Sequence, residues 1–372
     1  MTKMTVTPWE VKGDMDYEKL VKQFGTQHLT DDLLERIQKH TKDLHFMLRR
    51  KIFFSHRDLD WVLKEYEKGN KFFLYTGRGP SGHTHVGHLM PWVFTKWLQD
   101  KFGAELYFQM TDDEKFMFND KLSLEDANNF AYENALDVIA LGFDPKKTFI
   151  FSDIDYAKTL YKEAIKVAKK ITFSTAKAVF GFENDTNVGR IFFTSMQAVP
   201  AFLPSVIKGN NIPCLIPHAI DQDPHFRVAR DVLPKLGYYK PAAIHNMFLP
   251  SLKGPESKMS ASDPDSAIFT TDPPEVARKK IMKSFSGGKE TLEEHRKHGG
   301  DPTIDTACQY LFYLFEEDDK KVNELISGYK KGDVTSGEAK NILADKVSAF
   351  LTHHQKQREK AKKNLDKFVL KD

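Results

Sequence analysis

The segment KFFLYTGRGPSGHTHVGHLM, residues 71–90, decides how the chain is read. Phe72 to Tyr75 form a continuous apolar run, short for a helix and suited to a strand buried on both faces. Gly77, Gly79, Pro80 and Gly82 follow as a turn-rich loop. From Val86 the apolar positions Leu89, Val93, Trp97 and their neighbours Phe94 and Leu98 keep helical spacing, with Pro91 expected in the first turn, where a missing N–H is tolerated. The unit is strand, glycine-rich loop, helix, and His85-Val86-Gly87-His88 stands at its joint. Two imidazoles at i and i+3 share one face of the first helical turn, where spare N–H groups and the helix dipole favour an anion. Gly87 lacks a Cβ, so a flat base or ribose can press against its backbone. The setting predicts a nucleotide site; the bland alternative is a pair of partly exposed helix-start histidines.

Working outward, the alternation recurs. Strand candidates Leu106 to Met110, Phe149 to Phe151, Cys214 to Pro217 and Ala243 to Phe248 alternate with helical patterns such as Leu124 to Leu141. This predicts an α/β fold with a Rossmann-type parallel sheet. Ligands in such sheets bind outside the carboxyl ends of the strands, so the loops at Gly77, Thr111, Asp221 and Lys258 are expected to converge on one crevice. Helical spacing from Asp31 to His45 and around Leu59 to Tyr66 precedes this core, with FFSHRD (Phe53 to Asp58) between. Beyond Asp272 the sequence becomes charged and helix-compatible, including Glu275 to Lys283, Thr306 to Phe315 and Lys340 to Lys367. A separate helical domain is expected there. The division predicted is 1–58 as an N-terminal extension, 59–262 as the α/β domain and 263–372 as the α-helical C-terminal domain, whose last helix can pack back on the α/β domain.

Composition narrows the class. A length of 372 residues exceeds the ~150 residues of a typical domain, which suggests two or three domains. Hydrophobic residues at 40% and charged residues at 29% fit a folded globular chain rather than a disordered one. The 55 basic and 52 acidic side chains leave a net charge of +3, too little to argue for a polyanion partner. The last 20 residues, His353 to Asp372, carry seven basic and three acidic groups, either a solvated helix face or a phosphate-contacting surface. Cys214 and Cys308 stand far apart without a C-x-x-C pair, which argues against a disulfide framework and for a reducing compartment. The N-terminal MTKMTVTPWEVKGD shows no apolar leader. The uncharged stretch from Ile191 to Ile207 is interrupted by Pro200 and Pro204 and falls short of the ~20 residues a membrane span needs; it reads as a pocket wall.

A second constellation, Lys258-Met259-Ser260-Ala261-Ser262, lies in a loop bracketed by Gly254, Pro255 and Pro264. H-x-G-H followed far downstream by K-M-S-x-S resembles the paired HIGH and KMSKS signatures of class I aminoacyl-tRNA synthetases. The likeness extends through VTPWEVKG (Val6 to Gly13), FFSHRD, YTGRGPS (Tyr75 to Ser81), TDDEK (Thr111 to Lys115), AIDQDPHFR (Ala219 to Arg227) and FSGGKETLEEHR (Phe285 to Arg296). Together these resemble eukaryotic cytoplasmic tryptophanyl-tRNA synthetases over nearly the whole chain.

The resemblance implies a tryptophan-tRNA ligase that uses ATP, with Mg2+ bound to it, to form tryptophanyl-AMP and then loads the 3′ end of tRNA(Trp). The carboxylate of tryptophan attacks the α-phosphate directly, so such an enzyme mainly positions reactants and offsets spreading charge. By resemblance, His85, His88, Lys258 and Ser260 form the catalytic set. Thr76, Gly77, Arg78, Gly87, Lys115 and Met259 would contact ATP, and Tyr75, Gln109, Glu114, Gln197 and Gln222 tryptophan. An indole offers one N–H inside an apolar body, so its pocket needs an acceptor, the part given to Tyr75 and Gln109; Glu114 and Gln197 can take the ammonium. Arg227 is expected near the tRNA acceptor end, and Lys289 with Glu290 near the anticodon, in a helical anticodon-binding domain. A hairpin formed by VTPWEVKG over the active site, a homodimer, a cytoplasmic location and no membrane contact are implied as well.

Three departures stand out. Ala261 replaces a lysine common in the signature, so Lys258 must share its duty with Arg78, Lys115 or Mg2+. Lys289-Glu290 stands where the family often has Arg-Asp. The linker Gly82-His83-Thr84 is one residue shorter than the usual form. Tyrosyl-tRNA synthetases share fold and signatures, but Gln109, TDDEK and AIDQD speak against them; a small nucleotidyltransferase would need no KMSAS, and a silent tRNA-binding paralogue no intact His85, His88, Gly87 and Lys258. If Lys258 meets the β and γ phosphates, Lys258→Ala lowers the rate of amino acid activation at least ~100-fold while tryptophan affinity changes little, as single-turnover kinetics beside equilibrium binding would show. Equal losses in both would contradict that role.

Overall fold

In the computed structural model the described residues are 5–9, 11–12, 15–259 and 263–372. Seven strands build the central sheet: β1 (Gln27–His28), β2 (Phe53–Arg57), β3 (Phe73–Arg78), β4 (Glu105–Met110), β5 (Thr148–Ser152), β6 (Cys214–Ala219) and β7 (Ala242–Asn246). Their order across the sheet is β1-β2-β7-β6-β3-β4-β5. β3 to β7 run parallel, as their uninterrupted apolar composition requires once both faces are covered. Leu74, Leu106, Phe108 and Ile150 join the core on one face, and Phe73, Tyr75, Tyr107 and Phe151 the core on the other. β4 and β6 flank β3 on opposite sides, so the carboxyl end of β3 faces the gap where chain direction across the sheet reverses.

The expected parallel sheet carries two antiparallel strands at one edge. FFSHR is a strand, antiparallel to β7, with β1 antiparallel to it in turn. Polar contacts hold it in place. The Arg57 guanidinium donates from Nε and Nη2 to both oxygens of Asp223 at 2.7 and 2.8 Å, and Ser55 Oγ lies 2.9 Å from His245 Nδ1 on β7. Burial opposes charge on Asp223, but Arg57 and His245 outweigh it and hold the carboxyl well below the usual range.

The helices that matter to the crevice are α1 (Val86–Phe102), α2 (Leu124–Ala140), α3 (Ala157–Ala168), α4 (Val188–Met196), α5 (Asp223–Val232), α6 (Pro274–Lys283) and α7 (Ser336–Lys362). α1 closes at Gly103 with φ of 63°, a conformation glycine adopts without penalty. Pro91 lies inside α1, one turn beyond its start rather than in the first turn, and its missing N–H removes the bond that the Gly87 carbonyl would accept. α2 begins where Ser123 Oγ accepts from the Asp126 N–H at 3.0 Å, and α7 where Thr335 and Glu338 form a reciprocal capping box. The run expected as one helix from Thr306 to Phe315 is α-helical to Tyr310 and widens to a π turn over Leu311–Phe315.

α7 packs along α6 and α2. His354 Nε2 lies 2.9 Å from Asp137 Oδ1, and Arg358 pairs with both Asp137 and Glu133. After α7 the chain returns to the sheet: the Ile150 N–H donates to the Phe368 carbonyl at 2.7 Å and the Leu370 N–H to the Ile150 carbonyl at 2.8 Å, covering the edge of β5. A small antiparallel sheet joins Thr5–Val6, Val11–Lys12, Gly254–Lys258 and Pro250–Ser251, so the N-terminal segment lies beside the strand that ends at Lys258. Among the described residues, no helix is long and apolar enough to cross a membrane.

Removing Arg57 leaves the Asp223 carboxylate buried without its main partner, a change that costs ~3–5 kcal/mol. Urea unfolding of Arg57→Ala should show that loss, and a shift under ~1 kcal/mol would mean Asp223 is neutral in the fold. Buried histidines set the acid limit. Burial and the nearby Arg49 and Arg50 push His45 down to about 4, and burial pushes His56 down to about 4. Both pKa values are depressed, so the unfolded chain binds more protons; this stability is complete above the ordinary value of 6.5 and is lost as pH falls toward 4. Thermal midpoints should therefore drop between pH 7 and pH 4.5, and drop less in His45→Gln.

Candidate active site

A cavity of 380 Å³ opens at the carboxyl ends of β3 and β6. Tyr75, Thr76, Gly77, Arg78, His85, Gly87, His88, Glu114, Lys115, Gln197, Gln222 and Met259 all line it, so five stretches far apart in sequence converge. Strand β3 delivers Tyr75 to Arg78, and the Thr76 hydroxyl donates to the Pro217 carbonyl at 3.2 Å, tying β3 to β6 beside the opening. The Lys258 side chain and the whole of Ser260 lie outside the described residues.

One end of the cavity is cationic. The His85 N–H donates to His88 Nδ1 at 3.2 Å, so the neutral His88 ring carries its proton on Nε2. The two imidazoles stack with centroids 3.5 Å apart at the start of α1. A Cβ at Gly87 would stand 3.1 Å from His85 Nδ1 and 3.4 Å from Met259 Sδ, so glycine lets the two signature motifs meet. Arg78 donates from Nε to Asn134 Oδ1 at 3.2 Å, while its Nη2 is buried without a hydrogen-bond partner among the described residues. Burial brings its pKa down to about 10, so it stays charged at neutral pH and suits an anion. Lys115 reaches Glu114 at 3.0 Å across Gly79, where a Cβ would lie 2.0 Å from Lys115 Cε.

The other end is aromatic and rich in acceptors. Tyr75, fully buried, donates its hydroxyl proton to Gln109 Oε1 and accepts from Gln197 Nε2 at 2.7 Å. Phe226 meets the Tyr75 ring edge-on with centroids 5.7 Å apart, and Phe193 adds apolar wall. Glu114 accepts from Thr111 Oγ1 at 2.6 Å and from Trp9 Nε1 at 3.1 Å. Burial opposes its charge, but Lys115 and the Thr111 hydroxyl hold the carboxyl below its ordinary range.

Gln109 does not line the cavity; it stands directly behind Tyr75, and both Asp153 oxygens accept from its Nε2 at 2.9 and 2.8 Å. Arg227 on α5, and Lys289 with Glu290 ahead of the helix Leu292–His298, are exposed and away from the cavity. Several groups at the site were given no role by the sequence reading, although the resemblance put the VTPWEVKG segment that holds Trp9 over the site. Trp9 stacks on Phe118 with centroids 4.8 Å apart and forms part of the wall. His218 donates from Nδ1 to the Ala219 carbonyl at 2.9 Å, leaving a lone pair on Nε2, and burial with His245 pushes its pKa down to about 3. Burial likewise pushes His225 down to about 4. Trp9 and His225 lay within quoted motifs, VTPWEVKG and AIDQDPHFR; Asp153 and His218 sit at strand ends with no spacing signal.

Comparison with known proteins agrees with this geometry. The family pattern described as "tRNA synthetases class I (W and Y)" matches residues 67–352. The tryptophan–tRNA ligase of Saccharolobus solfataricus is 52% identical over 359 residues, 96% of this chain and 93% of that protein. The tryptophan–tRNA ligase of Pyrococcus abyssi is 53% identical over 365 residues, 98% of this chain and 93% of that protein. The crystal structure of Plasmodium falciparum tryptophanyl-tRNA synthetase superposes with a TM-score of 0.86 at 43% identity, covering 93% of this chain and 94% of that one. With its paired signatures meeting at one cavity, the chain belongs to the tryptophanyl-tRNA synthetase family of class I tRNA synthetases.

Proposed function

We propose that this protein activates L-tryptophan with ATP, forming tryptophanyl-AMP and pyrophosphate, and then transfers tryptophan to the 3′ end of tRNA(Trp). The observation that carries the reading is the division of one cavity into a cationic end at α1 and Arg78 and an aromatic, acceptor-rich end at Tyr75 and Gln197. A triphosphate suits the first and an indole the second. His85 and His88 take the α-phosphate and ribose side, His88 through its Nε2 proton. Thr76, Gly77, Arg78, Gly87, Lys115 and Met259 surround the rest of ATP, and Lys258 with Ser260 meets the β and γ phosphates. Tyr75, backed by Gln109, accepts the indole N–H, while Glu114, Gln197 and Gln222 serve the α-amino acid end. For Glu114 this means exchanging the Trp9 indole for a ligand ammonium.

No group of three or more His, Cys, Asp or Glu side chains among the described residues could hold a metal ion. Mg2+ enters with ATP, held by phosphate oxygens and water. Arg227 meets the tRNA acceptor end, and Lys289 with Glu290 the anticodon, on the division 1–58, 59–262 and 263–372. A homodimer is favoured by exposed Tyr161 and Ile165 on α3 and Val188 at the start of the adjoining α4. Two buried, unpaired cysteines suit a cytoplasmic location. The motifs quoted above favour the eukaryotic cytoplasmic type, while relatives at 52–53% identity are archaeal proteins.

Exchange of labelled pyrophosphate into ATP tests the reading. Tryptophan should support exchange at least ~100-fold better than tyrosine, whose hydroxyl would be misplaced against acceptors set for an indole. Exchange driven by tyrosine would overturn the assignment.

A further inference from the structure

The closed end of the cavity has a defined hydrogen-bond polarity, and its origin lies one layer behind the wall. Gln109 is fully buried and turns its Nε2 toward Asp153, with 2.9 and 2.8 Å to the two carboxyl oxygens. Its Oε1 thus faces the Tyr75 hydroxyl and takes the phenolic proton, and the Tyr75 oxygen accepts from Gln197 Nε2 at 2.7 Å. One Gln109 N–H is thus shared between the two Asp153 oxygens, and the Tyr75 hydroxyl proton is committed to Gln109 Oε1. What remains on Tyr75 Oη, the member of the chain that lines the cavity, is a lone pair.

We propose that Asp153 is a positioning residue for indole recognition: by holding the Gln109 N–H groups it fixes the amide orientation and so commits the Tyr75 hydroxyl to accept from a ligand N–H. An amide by itself has no preference between its two ends, and only a group that accepts without donating toward it imposes one. The carboxyl of Asp153 does this. Burial and the adjacent Asp113 and Asp112 carboxyls push Asp153 well above its ordinary range, and burial pushes Asp113 up to about 7. A proton between Asp113 and Asp153 leaves the chain intact, because an oxygen that engages Asp113 keeps a lone pair for Nε2. An asparagine at 153 would act differently. Its N–H can donate to Gln109 Oε1, letting the Gln109 amide turn, donate to Tyr75 Oη and send the phenolic proton into the cavity. A donor would then face a donor.

The inference rests on reading the aromatic end as the tryptophan subsite, and the test separates the two. Pyrophosphate exchange is measured with L-tryptophan and with β-(3-benzothienyl)-L-alanine, which replaces the indole N–H by sulfur at nearly constant shape. The wild-type protein should prefer tryptophan by roughly 10–100-fold in kcat/KM, as a hydrogen bond to a buried acceptor implies. In Asp153→Asn this ratio should fall at least tenfold with the KM for ATP within twofold of wild type, and Asp153→Glu, which keeps an acceptor-only group, should restore much of it. If Asp153→Asn lowers kcat/KM equally for both substrates, Asp153 is merely structural and the proposal is overturned. If Asp153→Asn does not fold, as judged by circular dichroism, Gln109→Met removes the link with Asp153 in place; a collapsed ratio supports the proposal and a wild-type ratio overturns it. No exchange with either substrate in the wild-type protein would instead sink the functional reading beneath it.

Discussion

The site depends on the register between β3 and β4. Tyr75 stands opposite Tyr107 and Gly77 opposite Gln109, so the period-two alternation of a strand puts all four residues on one face. Only in that register does the Tyr75 hydroxyl reach Gln109, and only because both strands run the same way do they end together at the cavity. A slip of one residue would turn Tyr75 toward the opposite core and leave its hydroxyl among Leu106 and Phe108 without a partner. The apolar side chains that enforce the register are therefore also what aims the polar ones.

Charge in the cavity is separated by fold rather than by distance alone. The backbone start of α1 and the buried Arg78 guanidinium gather positive potential on one side, beside the stacked imidazoles. On the other, Gln197 and Tyr75 present neutral dipoles, and the acid of that region, Glu114, is neighboured by Lys115 in both sequence and space. Dipoles fixed in this way need little reorganisation, which is their general advantage over water; the Trp9–Glu114 bond is the contact here that would have to open.

Much of this could be read from the chain because local chemistry was unusual where it mattered. A buried apolar run, a glycine-rich turn and paired helix-start histidines have few joint explanations, and the structure puts that unit at the cavity. FFSHR was harder. Its strand is held by Arg57, Ser55 and partners nearly two hundred residues away, and no periodicity in five residues announces such pairs. α1 starts at Val86, where the spacing placed it, so Pro91 is its sixth residue and lies beyond the first turn at the cost of one backbone hydrogen bond. Asp153 and His218 were invisible for a related reason: a lone polar residue at the end of an apolar strand has no spacing to betray it, and its meaning comes from what the neighbouring strand supplies. Gln109 shows the opposite limit, since a residue at the right strand end can still stand a layer behind the surface it serves.

α2 touches two distant parts of the molecule within one helical turn. Asn134 holds the Arg78 guanidinium and the Gly82 carbonyl, while Asp137 receives His354 and Arg358 from α7. The helix is thus a rigid spacer with a grip at each side, one on the loop that lines the cavity and one on the long terminal rod. Neither grip can be re-engineered alone: any substitution that rotates or tilts this segment displaces both, so changes made on the terminal rod will be felt at the Arg78 guanidinium beside the crevice.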